Sequence, residues 1–226
     1  MKKIGLIGGT SWHATIVYYR LINEMVGERI GTQGNPELLI YSLNIELMRA
    51  QDKEKINAKY LEIAQTLEAA GAKALVICAN TPHMVYDFVQ PQVGIPILHI
   101  ADAVGKEAQE KRLQTLGLLG NRPTMTGDFI PSRLATKFSI QTVIPDERYI
   151  AQNHWYVSNE LTQGIFSDGA KTFFMEQMEL LRQNGAEGII LGCTELPILM
   201  NETDFDLPML ATTTLHARMA ADFILE

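Results

Sequence analysis

Apolar residues fall along this chain in short dense runs separated by longer amphipathic stretches. Residues 3–7 form the first run, closed by the turn Gly8-Gly9-Thr10-Ser11. From residue 12 to about 28, Ile16, Tyr19, Ile22 and Met25 recur at helical spacing. The alternation then continues. Strands are predicted over residues 37–43, 73–78 and 96–99, with a helix over 53–70 stopped by Gly71. Residues 101–112 predict a helix and 115–120 a strand. Helical patterns follow over 129–137, 150–165 and 170–184, with Gly164 placed to end the middle one early. The methionine and aromatic residues between Phe173 and Leu181 read as core packing. Residues 140–143 and 188–192 are strands, an eighth strand carries Leu207-Pro208-Met209-Leu210, and a helix over 212–225 closes the chain. Strands separated by helical crossovers predict an α/β fold, with parallel sheets covered by helices on both faces.

The pattern also repeats. Ile4-Gly5-Leu6-Ile7-Gly8 returns as Leu116-Gly117-Leu118-Leu119-Gly120, and Ile95-Pro96-Ile97-Leu98 returns as Leu207-Pro208-Met209-Leu210. Between these landmarks, Gly71-Ala72 returns as Gly185-Ala186 and Cys78 as Cys193. Their order is preserved and the offset barely drifts, as expected of a duplicated unit. The expected division is a first α/β domain of residues 1–102 plus 211–226, its C-terminal helix swapped back, and a second of residues 103–210. A duplicated α/β unit binds its ligand where the carboxyl ends of the strands meet. That places the expected active site in the cleft between the two halves.

Composition narrows the function. Of 226 residues, 46% are hydrophobic, ample for a core. The net charge is -7 with both signs mixed, and there is no basic stripe or arm, so nucleic acid is a poor partner. No apolar run reaches the roughly 20 residues of a membrane span, and the chain starts directly on a first strand rather than a signal peptide. Two cysteines make no disulfide scaffold and suggest a reducing compartment, which predicts a cytoplasmic protein.

Those two cysteines carry the candidate chemistry. Leu75-Val76-Ile77-Cys78 leads into Ala79-Asn80-Thr81-Pro82-His83, and Ile189-Ile190-Leu191-Gly192-Cys193 leads into Thr194-Glu195. A free cysteine is often only a small buried hydrophobe. Here polar groups follow each thiol where a strand end meets a helix start. Free backbone N–H groups at such a place favour a thiolate and hold a carboxylate. Asn80, Thr81 and Thr194 are candidate binding residues, while His83 and Glu195 are candidate modulators of the thiols. Gly9 and Thr10 belong to a tight turn offering backbone donors and hydroxyls to a small anion. It has neither the spacing of a dinucleotide loop nor that of a nucleotide triphosphate loop. The matching turn is Gly120-Asn121-Arg122-Pro123-Thr124. A metal site is a poor reading, because Cys78, His83 and Cys193 include no close pair at zinc spacing. A redox pair would need C-x-x-C. His99, like His83 taken alone, also reads as an ordinary hydrogen-bonded histidine.

Three motifs together resemble the aspartate/glutamate racemase family, a family of cofactor-independent amino-acid racemases. They are Gly8-Gly9-Thr10-Ser11-Trp12 with Tyr18-Tyr19-Arg20-Leu21-Ile22-Asn23, then Cys78-Ala79-Asn80-Thr81-Pro82-His83, then Leu191-Gly192-Cys193-Thr194-Glu195. The resemblance spans nearly the whole chain. It implies two pseudo-symmetric flavodoxin-like domains with the active site between them, commonly a homodimer, and neither pyridoxal phosphate nor metal. It implies Cys78 and Cys193 as the catalytic pair and an acidic amino acid as substrate. Arg49 and Lys171 match, approximately, the basic side chains that hold the second carboxylate, and Thr124 matches a carboxylate-binding threonine. Gly120-Asn121 replaces the family's usual Gly-Thr, and Gly9-Thr10 its usual Gly-Met.

The expected reaction is racemisation of aspartate and/or glutamate by proton transfer at the α-carbon, one thiolate removing the proton and the opposite thiol returning one. Maleate isomerisation or hydantoin racemisation would keep the fold and the thiols. A non-catalytic amino-acid-binding module would need neither thiol to ionise.

Overall fold

A computed structural model describes residues 1–31, 33–201 and 203–226. The chain divides into two compact units, Met1–Ile100 with His216–Glu226, and Ala101–Leu215.

The first unit contains β1 (Ile4–Gly8), α1 (Trp12–Ile30), β2 (Leu38–Ser42), α2 (Glu46–Arg49), α3 (Lys53–Ala69), β3 (Leu75–Ile77), α4 (Tyr86–Val89) and β4 (Ile97–Leu98). Its four strands are parallel, in the order β2-β1-β3-β4. Helix α5 (Ile100–Glu110) leaves this unit at its first residue. The second unit contains β5 (Thr115–Gly120), α6 (Arg122–Thr126), α7 (Pro131–Phe138), β6 (Gln141–Val143), α8 (Glu147–Asn159), α9 (Asp168–Gln183), β7 (Gly188–Gly192), α10 (Leu196–Leu199) and β8 (Met209–Ala211). Its sheet has the same parallel plan, β6-β5-β7-β8. Helix α11 (Thr212–Leu225) starts in the second unit and ends in the first.

Strand alternation decides what each face of the first sheet buries. Ile7, Leu75 and Ile77 point to one side, against Ile56, Tyr60 and Ile63 of α3. Ile4, Leu6, Val76 and Cys78 point to the other, against Tyr18, Ile22 and Val26 of α1 and the alanine face of α11. The repeat persists in the packing. A side chain on Gly5 would strike Leu75 and Leu67, and one on Gly117 would strike Ile189 and Leu181. The same strand position therefore admits the same helix leucine in each unit.

The departures from the sequence pattern are local. In α1, Ile16 is 56% and Tyr19 49% exposed, because the helix buries the frame of Tyr18, Ile22 and Val26 instead. Overlapping apolar frames made the helix readable and its inward face not. The helix predicted over 150–165 starts earlier, at Glu147, and ends at Asn159. A 3₁₀ turn, Leu161–Gln163, then leads to Gly164 in the left-handed region. The short helices α2, α6 and α10 are too brief to show a period.

Asp102, in the first turn of α5, receives Arg133 Nε (2.6 Å) and Nη2 (2.8 Å) as well as Lys137 Nζ (2.7 Å) from α7. Burial pushes its pKa up, but the hydrogen bonds and charges of Arg133 and Lys137 outweigh that, so the carboxyl is held below its usual value. A depressed pKa contributes stability above the unfolded value of about 3.9 and loses it as pH falls through the folded value. Asp102→Asn is expected to cost about 1.5–3 kcal/mol near neutral pH. Thermal unfolding of both proteins should show that difference shrinking as the pH is taken below about 4.

Candidate active site

In each sheet the chain leaves the first strand in one direction to reach its edge neighbour, and later returns to pair on the other side. The crevice at such a switch point lies at the carboxyl ends of the two central strands. In the first unit those are β1 and β3. The turn Gly9–Ser11 follows one and Cys78–Thr81 the other. In the second unit β5 is followed by Asn121–Thr124, and β7 by Cys193–Glu195.

The first turn is built from its own helix. Gly9 has φ +90, and a Cβ there would run into the backbone of Leu43. Gly9 N–H donates to Thr15 Oγ1 (3.0 Å), whose hydroxyl donates to the Ser11 carbonyl (3.0 Å). Ser11 Oγ accepts from Ala14 N–H (3.2 Å) and caps α1. Thr10 Oγ1 is hydrogen-bonded to the Tyr60 hydroxyl (3.0 Å). Tyr60 is buried, and burial raises its pKa. Nothing in sequence spacing links Tyr60 to the turn. It belongs to the apolar face of α3, and only its hydroxyl reaches the turn.

Cys78 directly follows β3, tied by its N–H to the Ile7 carbonyl (2.9 Å). Its thiol is buried, and burial pushes its pKa far up. Behind it, Asn80 is buried and Thr81 half-buried at the start of a 3₁₀ turn, Thr81–Val85. His83, on that turn, is fully buried. Its Nδ1 lies 2.9 Å from the Ala79 carbonyl and 3.2 Å from that of Asn80, and its Nε2 lies 3.1 Å from Ile100 N–H. His99 and His216 pack against its ring. His216 lies far along the sequence, and the motif gives no sign of it.

Cys193 follows β7 in the corresponding place. Its thiol donates to Glu195 Oε2 (3.0 Å). Burial raises its pKa most, the Glu195 charge and hydrogen bond raise it further, and the backbone N–H groups of Glu195 and Leu196 pull the other way. Thr194 is half-buried and Glu195 buried. Thr124 is fully buried, with its methyl over Gly120 and Gly192, where a side chain on either glycine would crowd it. Asn121 Oδ1 accepts from Thr124 N–H (2.9 Å), which makes this asparagine the cap of α6.

The two basic residues already hold carboxylates. Arg49, 65% exposed in its side chain, pairs with Glu46 at 3.1 Å, and Lys171, early in α9, pairs with Asp204 at 2.7 Å. Both cysteines are free thiols. Among the described residues, no group of three or more His, Cys, Asp or Glu side chains is placed to hold a metal ion, and no helix is long and apolar enough to cross a membrane.

Relatives share this plan. A candidate Asp/Glu racemase from Yersinia pestis is 36% identical, covers both chains completely and superposes with a TM-score of 0.94. An aspartate racemase homologue from Pyrococcus horikoshii OT3 is 33% identical over all of both chains, with a TM-score of 0.89. The broad-specificity amino-acid racemase RacX of Bacillus subtilis is 21% identical over 225 residues, 95% of each chain. The family model described as Asp/Glu/Hydantoin racemase matches residues 7–220. With two repeated α/β units and that match over nearly its whole length, the chain belongs to the Asp/Glu/Hydantoin racemase family.

Proposed function

We propose that this chain is a cofactor-independent racemase of aspartate and/or glutamate, and that Cys78 and Cys193 are its two bases. The observation that carries the reading is a pair of buried free thiols, each just after a central strand of one of two repeated units. The likeness to the Pyrococcus horikoshii and Yersinia pestis proteins supports the acidic substrate.

Two dry thiols do not ionise unaided, and the second ionisation is opposed by the first. The pair therefore works with one negative charge. Glu195 supplies a way to place it. Transfer of the Cys193 proton to Glu195 Oε2 leaves a thiolate and a carboxylic acid, so the charge moves without a new one being buried. The N–H groups of Glu195 and Leu196 stabilise the sulfur once it is charged. The ammonium group of a bound amino acid favours the same state. The Cys193 thiolate then takes the α-proton and the Cys78 thiol donates its own to the opposite face. The product has inverted configuration and the sulfurs have exchanged roles.

In this reading, backbone N–H groups around Asn80, Thr81 and Thr194 hold the α-carboxylate, into which the carbanion's charge spreads. In the same reading the turn of Gly9 and Thr10 and the Thr124 hydroxyl are further substrate contacts. Arg49 and Lys171 would take the side-chain carboxylate by exchanging Glu46 and Asp204 for it. A broader substrate range is the second reading. It is favoured by the surface position of Arg49 and by the likeness to the broad-specificity Bacillus subtilis racemase. A cytoplasmic homodimer remains part of the proposal.

Purified protein incubated in heavy water with L- or D-aspartate or glutamate should racemise the amino acid and put deuterium at its α-carbon. Cys78→Ala and Cys193→Ala should each abolish racemisation in a folded protein. Wild-type rates in either variant contradict the two-base scheme. Arg49→Ala and Lys171→Ala should lower activity on acidic amino acids and spare any on alanine, whereas equal wild-type rates on both classes favour the broader reading.

Glu195→Gln removes a charge that raises the Cys193 pKa, so in the free protein Cys193 should be alkylated at lower pH while Cys78 keeps its profile. The same variant should lose about 100-fold in kcat/KM, the size of a general-base contribution. The loss must be equal for both enantiomers, because their equilibrium constant is one. An unshifted alkylation profile with unchanged kcat/KM contradicts the role of Glu195.

A further inference from the structure

The two units treat their thiol-bearing turns differently. In the first, three imidazoles are buried together. His83 packs edge-on to His99 (4.7 Å between centroids) and to His216 (5.4 Å), while His99 also meets Tyr86 (4.9 Å). Backbone partners fix where the protons sit. Carbonyls can only accept, so His83 Nδ1, facing the carbonyls of Ala79 and Asn80, carries the hydrogen. A backbone N–H can only donate, so Nε2, facing Ile100 N–H, is bare. His216 is tied in from the other side: its Nε2 donates to the Leu98 carbonyl (2.7 Å), and its Nδ1 is hydrogen-bonded to the Tyr18 hydroxyl (2.9 Å). The His83 ring is thus neutral. Burial and the neighbouring imidazoles hold the His83 pKa well down, in agreement with that assignment.

The repeat shows that this arrangement is not a requirement of the fold. The residue five after Cys193 is Ile198, 61% exposed, where the residue five after Cys78 is His83. The second unit builds the same sheet and the same thiol-ended strand with no histidine there. Its equivalent of Ile100 is Thr212, whose hydroxyl donates directly to the Leu191 carbonyl of β7 (3.0 Å). In the first unit the link from the start of the following helix runs through the imidazole, and it reaches the carbonyls after the cysteine rather than one before it. It joins the two peptide carbonyls that follow Cys78 to the first N–H of α5. Burying polar groups is costly unless they are bonded, so a ring satisfied on both edges resists displacement.

Building on the two-thiol reading above, we propose that His83 is a positioning residue for Cys78. With its proton on Nδ1, it locks the Cys78-Ala79-Asn80 turn against the start of α5, aiming the thiol and the backbone N–H groups beside it. The ring itself touches no substrate. Its effect belongs in kcat, since it sets geometry at the reacting sulfur, and a misplacement of about 1 Å there costs on the order of 100-fold.

The test compares His83→Leu, His83→Asn and His83→Gln. Asparagine offers an N–H near the Nδ1 position, glutamine an amide near the Nε2 position, and leucine neither. Racemisation kinetics are read together with iodoacetamide alkylation of Cys78, using Cys193 in the same chain as the internal reference. His83→Leu should lower kcat about 100-fold with a much smaller change in KM, and should speed alkylation of Cys78 relative to Cys193. His83→Asn should recover most of both. A merely structural histidine would accelerate both thiols together and leave kcat of the folded fraction unchanged, and that result overturns the proposal. If His83→Leu does not fold, the asparagine variant must still exceed the glutamine variant in kcat, and equality or the reverse order overturns it. If the wild-type protein racemises no amino acid, the functional reading fails, while the ratio of thiol reactivities still decides the role of His83.

Discussion

Burial of the two thiols is the constraint on which everything else rests. A sulfur in a dry environment keeps its proton, and both cysteines are in that state here. Any chemistry at these positions has to create a thiolate without stranding a new charge in a medium that cannot solvate it. The parallel sheet makes this necessary, because the carboxyl end of a central strand is covered on both faces. At Cys193 the following turn supplies part of the remedy, since the backbone N–H groups of Glu195 and Leu196 favour the charged sulfur.

Duplication gave the two thiols the same place in the fold, and later divergence gave them different neighbours. Cys193 has a carboxylate on its own turn, 3.0 Å away, and two backbone N–H groups. Cys78 has no acidic group on its turn, and the turn behind it is held by a neutral imidazole. A racemase must treat two mirror-image substrates alike in kcat/KM, yet nothing requires its two bases to be alike. In the proposed scheme the asymmetry assigns the charge to the side of Cys193 and geometric control to the side of Cys78.

Much of the architecture was legible because it rests on local pattern. Dense apolar runs gave the strands, Gly71 gave the end of α3, and the recurrence of Ile4–Gly8 as Leu116–Gly120 gave two sheets of one plan. The position of each cysteine just beyond a strand was legible for the same reason. What stayed hidden depends on contacts between distant residues. Thr10 meets Tyr60 across fifty positions, and Tyr18 meets His216 across nearly two hundred. Neither tyrosine was singled out by the apolar pattern, in which Tyr18 lies off the frame of Ile16, Tyr19, Ile22 and Met25, and an aromatic on a helix gives no sign that its hydroxyl has a task. Arg49 was visible as a charge, but its pairing with Glu46 depends on the single turn of α2, which has no period to read.

The central claim is that both sulfurs face one carbon. A crystal structure of the protein with bound aspartate measures this directly. The account predicts the sulfurs of Cys78 and Cys193 on opposite faces of the ligand's α-carbon, each about 3–4 Å from it. Two sulfurs on one face, or either one walled off from the ligand by packed side chains, would contradict it.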